Sequence, residues 1–180
     1  MLVYTVQPKE IIDQIDNLKP NESLLVDNSK INFKDENNFI IAYKYMRFEM
    51  NKKLNTNYAS YPWWAFIDKP TIHEIKKGFT SCKTPYLITL DIPDEKLVLS
   101  DFQEWHSPLM NVCCFKTEEE MNEKWDELEK LKTTDIFKYF EIMTDSWQQI
   151  FDISNTPARD IQATFFEIQK KKIVSIKKCY

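Results

Sequence analysis

Glu167 ends an otherwise apolar row near the C-terminal end of the chain. If residues 161–168 form a strand, side chains alternate between two faces, and Ile161 and Phe165 share a face with Glu167. An ionised carboxylate is costly to bury without partners. Glu167 therefore either lies at the rim of a sheet beside a lysine or is held in place for its chemistry, and the sequence leaves both interpretations open.

Two aromatic segments supply further candidates. His106 follows Trp105 at a predicted helix bend, where it can donate to a ligand or act as an acid or base near neutral pH. It can equally be a core histidine bonded to a carbonyl group. Trp63 and Trp64 are consecutive, so in a strand they face opposite sides, and one can line a cleft while the other packs in the core.

Thr5 and Gln7 place polar groups on one face of the first predicted strand. In the interior of a sheet such groups need hydrogen-bond partners, which either the protein or a ligand supplies.

Composition excludes several classes of function. Gly78 is the only glycine among 180 residues, so the glycine-rich phosphate loops of Rossmann dehydrogenases and P-loop NTPases are absent. No Ser-His-Asp or Cys-His pattern of a hydrolase is visible. The net charge is −4 and only Arg47 and Arg159 are arginine, so we expect no nucleic-acid partner.

The cysteines and histidines predict no metal site, because they lack the short, regular spacings that metal sites use. We expect reduced thiols in a cytoplasmic protein, since the N-terminus carries no export signal and no apolar run approaches about 20 residues. No membrane contact is expected. The residues concerned are Cys82, Cys113, Cys114, Cys179, His73 and His106.

The hydrophobic pattern predicts a single α+β domain over residues 1–180, with runs of strands segregated from runs of helices. Helix-forming patterns occur within residues 8–18, 34–54, 117–131 and 144–151, and Ser107 is a candidate cap for a short helix with Pro108 in its first turn. Strand patterns occur at 2–6, 63–68, 86–92, 97–99, 161–168 and 173–178. Ser100 and Gln103 predict the helix start at Asp101. Two helical stripes are predicted to face the core, namely Phe39, Tyr43, Met46 and Met50, and Met121, Trp125, Leu128 and Leu131.

Across nearly its whole length the chain resembles a bacterial family known only as a domain of unknown function. The segments that carry this resemblance are residues 4–7, 62–66, 99–102, 105–106, 111, 146–147, 151–152, 161–163 and 167.

More distantly, the chain is similar to the ADP-ribosyltransferase superfamily, which has an early strand with a polar NAD contact and a late strand with a catalytic glutamate. The resemblance implies split, mainly antiparallel sheets with helices, and NAD as cofactor. It implies that Glu167 stabilises the cationic ribose as nicotinamide leaves. It also implies a set of cofactor contacts, with ring stacking by a tryptophan, at Thr5, Gln7, Trp64, Trp105, His106 and Gln162. The acceptor would be an unidentified macromolecule or small molecule.

Two other functions fit the same sequence. One is a non-catalytic interaction or regulatory domain, bacterial or from a phage, that binds a protein through the acidic helical face between Glu118 and Glu129. The other is a small-molecule sensor whose pocket is lined by the tryptophans.

Overall fold

One antiparallel sheet organises the chain, and helices pack on both of its faces. The computed structural model describes residues 1–31, 39–80 and 84–180. The strands are β1 Leu2–Pro8, β2 Ser23–Leu24, β3 Trp63–Phe66, β4 Pro85–Asp91, β5 Val98–Asp101, β6 Ile161–Phe165, β7 Ile168–Gln169 and β8 Ile173–Lys178. The α-helices are α1 Lys9–Asp16, α2 Phe39–Leu54, α3 Ile72–Gly78, α4 His106–Met110, α5 Glu118–Thr134 and α6 Ile136–Ser146. Short 3₁₀ helices occupy Asn28–Lys30, Asp94–Lys96, Trp147–Phe151, Ala158–Asp160 and Lys170–Lys172.

Within the described chain, six strands form the main sheet in the order β5-β6-β3-β1-β4-β8. Every registered pairing in it is antiparallel. β2 and β7 form a separate two-stranded ladder. This architecture confirms the predicted α+β class with mainly antiparallel sheets.

The two faces of the sheet bury different apolar clusters. On one face Ile12 and Ile15 of α1 pack with Val3, Ile88 and Phe165 of the strands. On the opposite face, Ile75 of α3 packs with Val6 and Leu87, and a larger cluster involves α2 and α6. Its core contains Ala42, Met46, Met50, Trp105, Leu128, Met143 and Trp147. All five residues of β6 are buried because both sides of this strand are covered.

The sheet is weakly joined at its centre. β1 and β4 share seven registered pairs, whereas Tyr4 and Phe66 are the single registered pair between β1 and β3 in the described strands. Beyond that pair the facing edges of the two strands are open, and the sheet consists of two three-stranded halves, β5-β6-β3 and β1-β4-β8. An open strand edge presents backbone hydrogen-bonding groups to whatever lies beside it.

The predicted strand over residues 161–168 is too long. β6 ends at Phe165, and Glu167 lies in the short connection before β7. The ladder runs out because β3 begins opposite Phe165 and β5 begins opposite Thr164. Ile168 pairs instead with Leu24 of β2.

Several helix boundaries also differ from the prediction. The helix predicted to start at Asp101 does not begin there, because Asp101 is the last residue of β5. Its Oδ1 accepts hydrogen bonds from the backbone N–H groups of Gln103 and Glu104 and so caps the turn that follows. The predicted helix over 144–151 is the end of α6 followed by a 3₁₀ helix. Elements α3 and β2 were not predicted. Residues 34–38 of the predicted second helix and Cys82 lie outside the described residues.

The stripe predictions are correct in part. Met46 and Met50 of α2 are fully buried, but Tyr43 is only half-buried. In α5 only Leu128 of the predicted stripe is buried, and Trp125 is 51% exposed. A tryptophan predicted to face the core therefore lies on the surface.

Met46 provides a test of the packing of α2 against the sheet. Met46→Ala should lower the free energy of unfolding by about 2–4 kcal/mol, because it opens a cavity at a fully buried position beneath β6. The matched control is Phe48→Ala, two residues along the same helix at a side chain that is 64% exposed, with an expected change within about 0.5 kcal/mol. Urea unfolding measures both. Equal effects of the two substitutions would contradict the described orientation of α2.

Candidate functional site

A cleft opens where the pairing between β1 and β3 ends. Its volume is about 300 Å³, and its lining includes consecutive residues of both strands. Consecutive residues can line one cavity only if the strand edge itself faces it, since side chains alternate between faces. We call this cavity the aromatic cleft. It is lined by Tyr4, Thr5, Val6, Gln7, Tyr43, Trp64, Ala65, Phe66, Phe79, Phe102, Trp105, Leu109 and Gln162.

The polar residues of the cleft come from β1 and β6. The side-chain amide nitrogen of Gln7 donates to Thr5 Oγ1 at 2.8 Å, so these two polar groups partner each other. On β6 the amide nitrogen of Gln162 donates to Ser100 Oγ at 3.0 Å. Thr5 and Gln162 are 2% and 3% exposed, respectively. Since an amide nitrogen only donates, the side-chain oxygens of the two glutamines are the groups that can accept hydrogen bonds from a ligand.

Three aromatic rings form a wall of the cleft. The ring centroids of Trp64 and Trp105 are 4.9 Å apart with planes tilted by 38°, and Tyr43 contacts both edge-on. The Trp64 indole Nε1 is buried and has no hydrogen-bond partner among the described residues. A buried donor of this kind costs free energy unless a water or a ligand accepts from it.

His106 lies outside this cleft. It is the first residue of α4, and its side chain is exposed. Nδ1 lies 3.0 Å from the carbonyl oxygens of both Phe102 and Gln103, which fixes the proton on this nitrogen, and the ring packs edge-on against Phe102. His106 therefore combines a bond to carbonyl groups with an exposed ring, and this ring packs against Phe102, which lines the cleft.

Glu167 lines a different cavity, of about 220 Å³, beyond the end of β6. We call this cavity the Glu167 pocket. It is lined by Leu54, Thr56, Tyr58, Leu90, Ile92, Pro93, Glu95, Lys96, Phe165, Phe166, Glu167, Gln169 and Lys172.

The Glu167 carboxylate is held by two donors. The Tyr58 hydroxyl donates to Oε1 at 2.5 Å, and the Gln169 side-chain nitrogen donates to Oε2 at 2.9 Å. The Tyr58 ring stacks on Phe166 with centroids 4.4 Å apart. Glu167 is therefore oriented from both sides and is not a freely moving surface acid.

Asn51 positions Tyr58 over the carboxylate. Its side-chain nitrogen donates to the Tyr58 carbonyl at 3.0 Å, and its Oδ1 accepts from the Tyr58 backbone N–H at 2.8 Å. The helix α2 ends just before this point with Asn55 in the left-handed conformation, at φ 51°. The loop after α2 is thus folded back onto its own last turn, and this places the phenol beside β6.

The hydrogen bond sets the charge state of both partners. Donation from Tyr58 lowers the pKa of Glu167, and Gln169, Lys96 and Ser23 lower it further against the opposing effect of burial. The same bond, together with burial, raises the pKa of Tyr58 to about 12. Glu167 is therefore ionised at neutral pH and suits stabilisation of a nearby positive charge more than general acid catalysis.

The predicted site residues fall into two groups. Thr5, Gln7, Trp64, Trp105 and Gln162 line one cavity, whereas Glu167 lines another. Glu167 follows Gln162 by five positions, which in extended chain is roughly 16 Å. The part of β6 that faces the aromatic cleft carries Gln162, and none of the described residues lining that cleft is acidic.

Sequence reasoning missed several residues of both cavities. Tyr43 was assigned to the core stripe of α2, yet it lines the aromatic cleft. Tyr58 was not singled out at all, although an aromatic residue inside the polar segment 55–60 is a signal that could have been used. Gln169 and Lys172 both lie between the predicted strands 161–168 and 173–178, in a segment interpreted as a turn.

Within residues 1–31, 39–80 and 84–180 no three histidine, cysteine or acidic side chains are grouped as a metal site would require. Among the described helices, none combines the length and the apolar character needed to cross a bilayer.

The fold and the two cavities define an α+β domain with a ligand-sized cleft at a break in its central sheet. The family model for a domain of unknown function, DUF3841, matches residues 2–174 of the chain. The chain belongs to this family. No curated protein and no solved structure matches the chain significantly.

The bond between Tyr58 and Glu167 predicts a defined pH dependence. Because the pKa of Glu167 is lowered in the folded state, its contribution to stability is present above the ordinary carboxyl value of 4.5 and is lost as the pH falls through the folded-state value. Because the pKa of Tyr58 is raised from 10.0 to about 12, the contribution is also lost as the pH rises through that range. Tyr58→Phe should therefore lower the free energy of unfolding by about 1 kcal/mol at neutral pH.

Urea unfolding at pH 7 and pH 3 checks this expectation, and the effect of Tyr58→Phe should shrink at the lower pH. The matched control is Tyr45→Phe, which removes a hydroxyl that accepts from the neutral amide of Gln148. A loss of stability from Tyr58→Phe that is the same at both pH values would show that the carboxylate is not its partner.

Proposed function

We propose that this protein is an ADP-ribosyltransferase-like domain that binds NAD in the aromatic cleft, with the nicotinamide riboside half inside. The observation that carries the proposal is the convergence of Trp64 and Trp105 with buried polar groups of β1 and β6 on one cavity. Flat rings bind by stacking on such side chains, and a few placed polar groups fix their orientation.

The chemistry of the cleft matches a nicotinamide ring. Its carboxamide has two donor hydrogens for the amide oxygens of Gln7 and Gln162, and one carbonyl oxygen that can accept from the Trp64 indole N–H. The cleft volume of about 300 Å³ lies at the lower end of the range for small-molecule sites. It accommodates one nucleoside half of NAD, and the adenosine half then lies outside.

Isothermal titration calorimetry with NAD tests this binding. Trp64→Phe should weaken it about tenfold, since lost stacking and a lost hydrogen bond together amount to about 1.4 kcal/mol. The matched control is Trp125→Phe on α5, where the indole is 51% exposed and outside the cleft, and it should leave the affinity unchanged. Nicotinamide mononucleotide should bind and ADP-ribose should bind more weakly. No heat with NAD, or equal affinity in Trp64→Phe and wild type, would contradict the proposal.

ADP-ribosyl transfer is a second candidate function, favoured by the ionised and oriented Glu167. In this reaction the bond between ribose C1′ and nicotinamide breaks, nicotinamide leaves with the electron pair, and an acceptor nucleophile bonds to C1′ and releases its proton. A fixed carboxylate stabilises the cationic ribose more than the ground state. Glu167 lies beyond the far end of β6 from Gln162, so this function requires NAD to reach from one cavity to the other.

The release of nicotinamide from NAD, measured by chromatography, tests the transferase function. If Glu167 is catalytic, Glu167→Gln should reduce release by about 10²-fold, as expected for loss of one electrostatic contact to the transition state. The control Glu95→Gln removes an exposed carboxylate from the same pocket and should have little effect. If the Glu167→Gln variant releases nicotinamide at the wild-type rate, Glu167 is not a catalytic residue.

NAD binding without nicotinamide release would instead favour the non-catalytic alternative, a bacterial or phage regulatory domain on a similar scaffold. The acidic face of α5 was the candidate surface for its protein partner. Part of that face is internally neutralised, because Glu120 pairs with Lys124 and Glu129 pairs with Lys132. Fewer carboxylates on this face are therefore unpaired and available to a partner than the sequence alone indicates.

A further inference from the structure

The Glu167 pocket has a chemistry of its own, distinct from that of the aromatic cleft. Its walls are apolar, contributed by Leu54, Ile92, Pro93, Phe165 and Phe166. Its polar groups include ionisable side chains of both signs beside neutral hydroxyl and amide groups. An apolar cavity with a few charged groups is typical of a site for a small molecule that has an apolar body and a charged head.

The cationic side chains of this pocket have no close anionic partner. Neither Lys96 nor Lys172 makes an ion pair within 4.0 Å among the described residues. Lys172 is nevertheless half-buried, and Lys96 is close enough to Glu167 to lower its pKa. A half-buried ammonium group without an ion-pair partner is stabilised by an anionic ligand.

Glu167 supplies the complementary anion. Its oxygens accept hydrogen bonds from Tyr58 and Gln169, and the nearby Ser23 hydroxyl also donates toward them. A carboxylate has about four lone-pair sites, so it can accept further hydrogen bonds from a ligand ammonium group. With Glu95 and Glu167 against Lys96 and Lys172, the charges of the pocket cancel, which favours a ligand that is itself neutral overall.

We infer that the Glu167 pocket binds a small zwitterion with an apolar body, namely a free α-amino acid with a side chain of the leucine or phenylalanine type. Its α-ammonium group lies at Glu167, its carboxylate at Lys96 and Lys172, and its side chain against Phe165, Phe166 and their neighbours. The volume of about 220 Å³ is that of roughly seven water molecules, which suits an amino acid of this size. This site is separate from the NAD site proposed above and does not depend on it.

Calorimetric titration of the full chain with L-leucine and L-phenylalanine tests the inference. At least one of them should bind. Three analogues of phenylalanine each lack one recognised group: phenethylamine has no carboxylate, 3-phenylpropionate has no ammonium group, and glycine has no apolar side chain. Each should bind at least about tenfold more weakly, the loss expected for one charged or apolar contact of about 1.4 kcal/mol.

Two variants assign the charged groups. Glu167→Gln should weaken amino-acid binding at least about tenfold. Lys172→Met keeps an unbranched side chain and leaves the hydrogen bond between Tyr58 and Glu167 in place. It should also weaken binding at least about tenfold. Gln162→Ala in the aromatic cleft is the control and should leave amino-acid binding unchanged. Near-ultraviolet circular dichroism confirms that each variant is folded.

Three results would overturn the inference. These are no heat from either amino acid at millimolar concentration, binding of phenethylamine as tight as that of phenylalanine, or displacement of the bound amino acid by NAD. The third result would mean that one ligand site spans both cavities. Absence of NAD binding, in contrast, would refute the proposed function and leave this site intact.

Discussion

The single registered pair between Tyr4 and Phe66 joins two halves of a six-stranded sheet. This central junction is the shortest ladder of the main sheet among the described strands. An unpaired strand edge can pair with another chain unless something covers it. The helices on both faces and the rings of the aromatic cleft provide that cover, so the break in the ladder becomes a cavity and not a point of unfolding.

Helix α2 fixes the distance between the two cavities. Tyr43 near its beginning lines the aromatic cleft, and Leu54 at its end lines the Glu167 pocket. Eleven residues of α-helix span roughly 16 Å, which agrees with the length of extended chain between Gln162 and Glu167. Helix α2 and the segment from Gln162 to Glu167 therefore give the same distance between the two cavities. Because Met46 and Met50 between them are fully buried, the helix cannot slide to bring the cavities together without losing its core contacts.

Local sequence signals predicted most elements, since alternation and helical spacing record which face of an element is buried. The strand over residues 173–178 has the bounds of β8, and five of the six residues chosen as cofactor contacts, all except His106, line one cavity. The position of Glu167 could not be predicted, because the end of β6 is set by where β3 and β5 begin. The exposure of Trp125 could not be predicted either, because it depends on how α5 and α6 pack together.

The two cavities differ in the charge of the side chains that line them, and therefore in the chemistry that each can support. The side chains lining the aromatic cleft are neutral at physiological pH, so this cavity can orient a ligand by hydrogen bonds and stacking but has no carboxylate to stabilise a developing cation. The Glu167 pocket has an ionised carboxylate, held in that state by Tyr58 and Gln169. Cleavage of a ligand bound in the cleft therefore requires either a molecule long enough to reach Glu167 or a rearrangement of the loop that carries it. Binding requires neither, because Trp64, Trp105 and Gln162 are already in place.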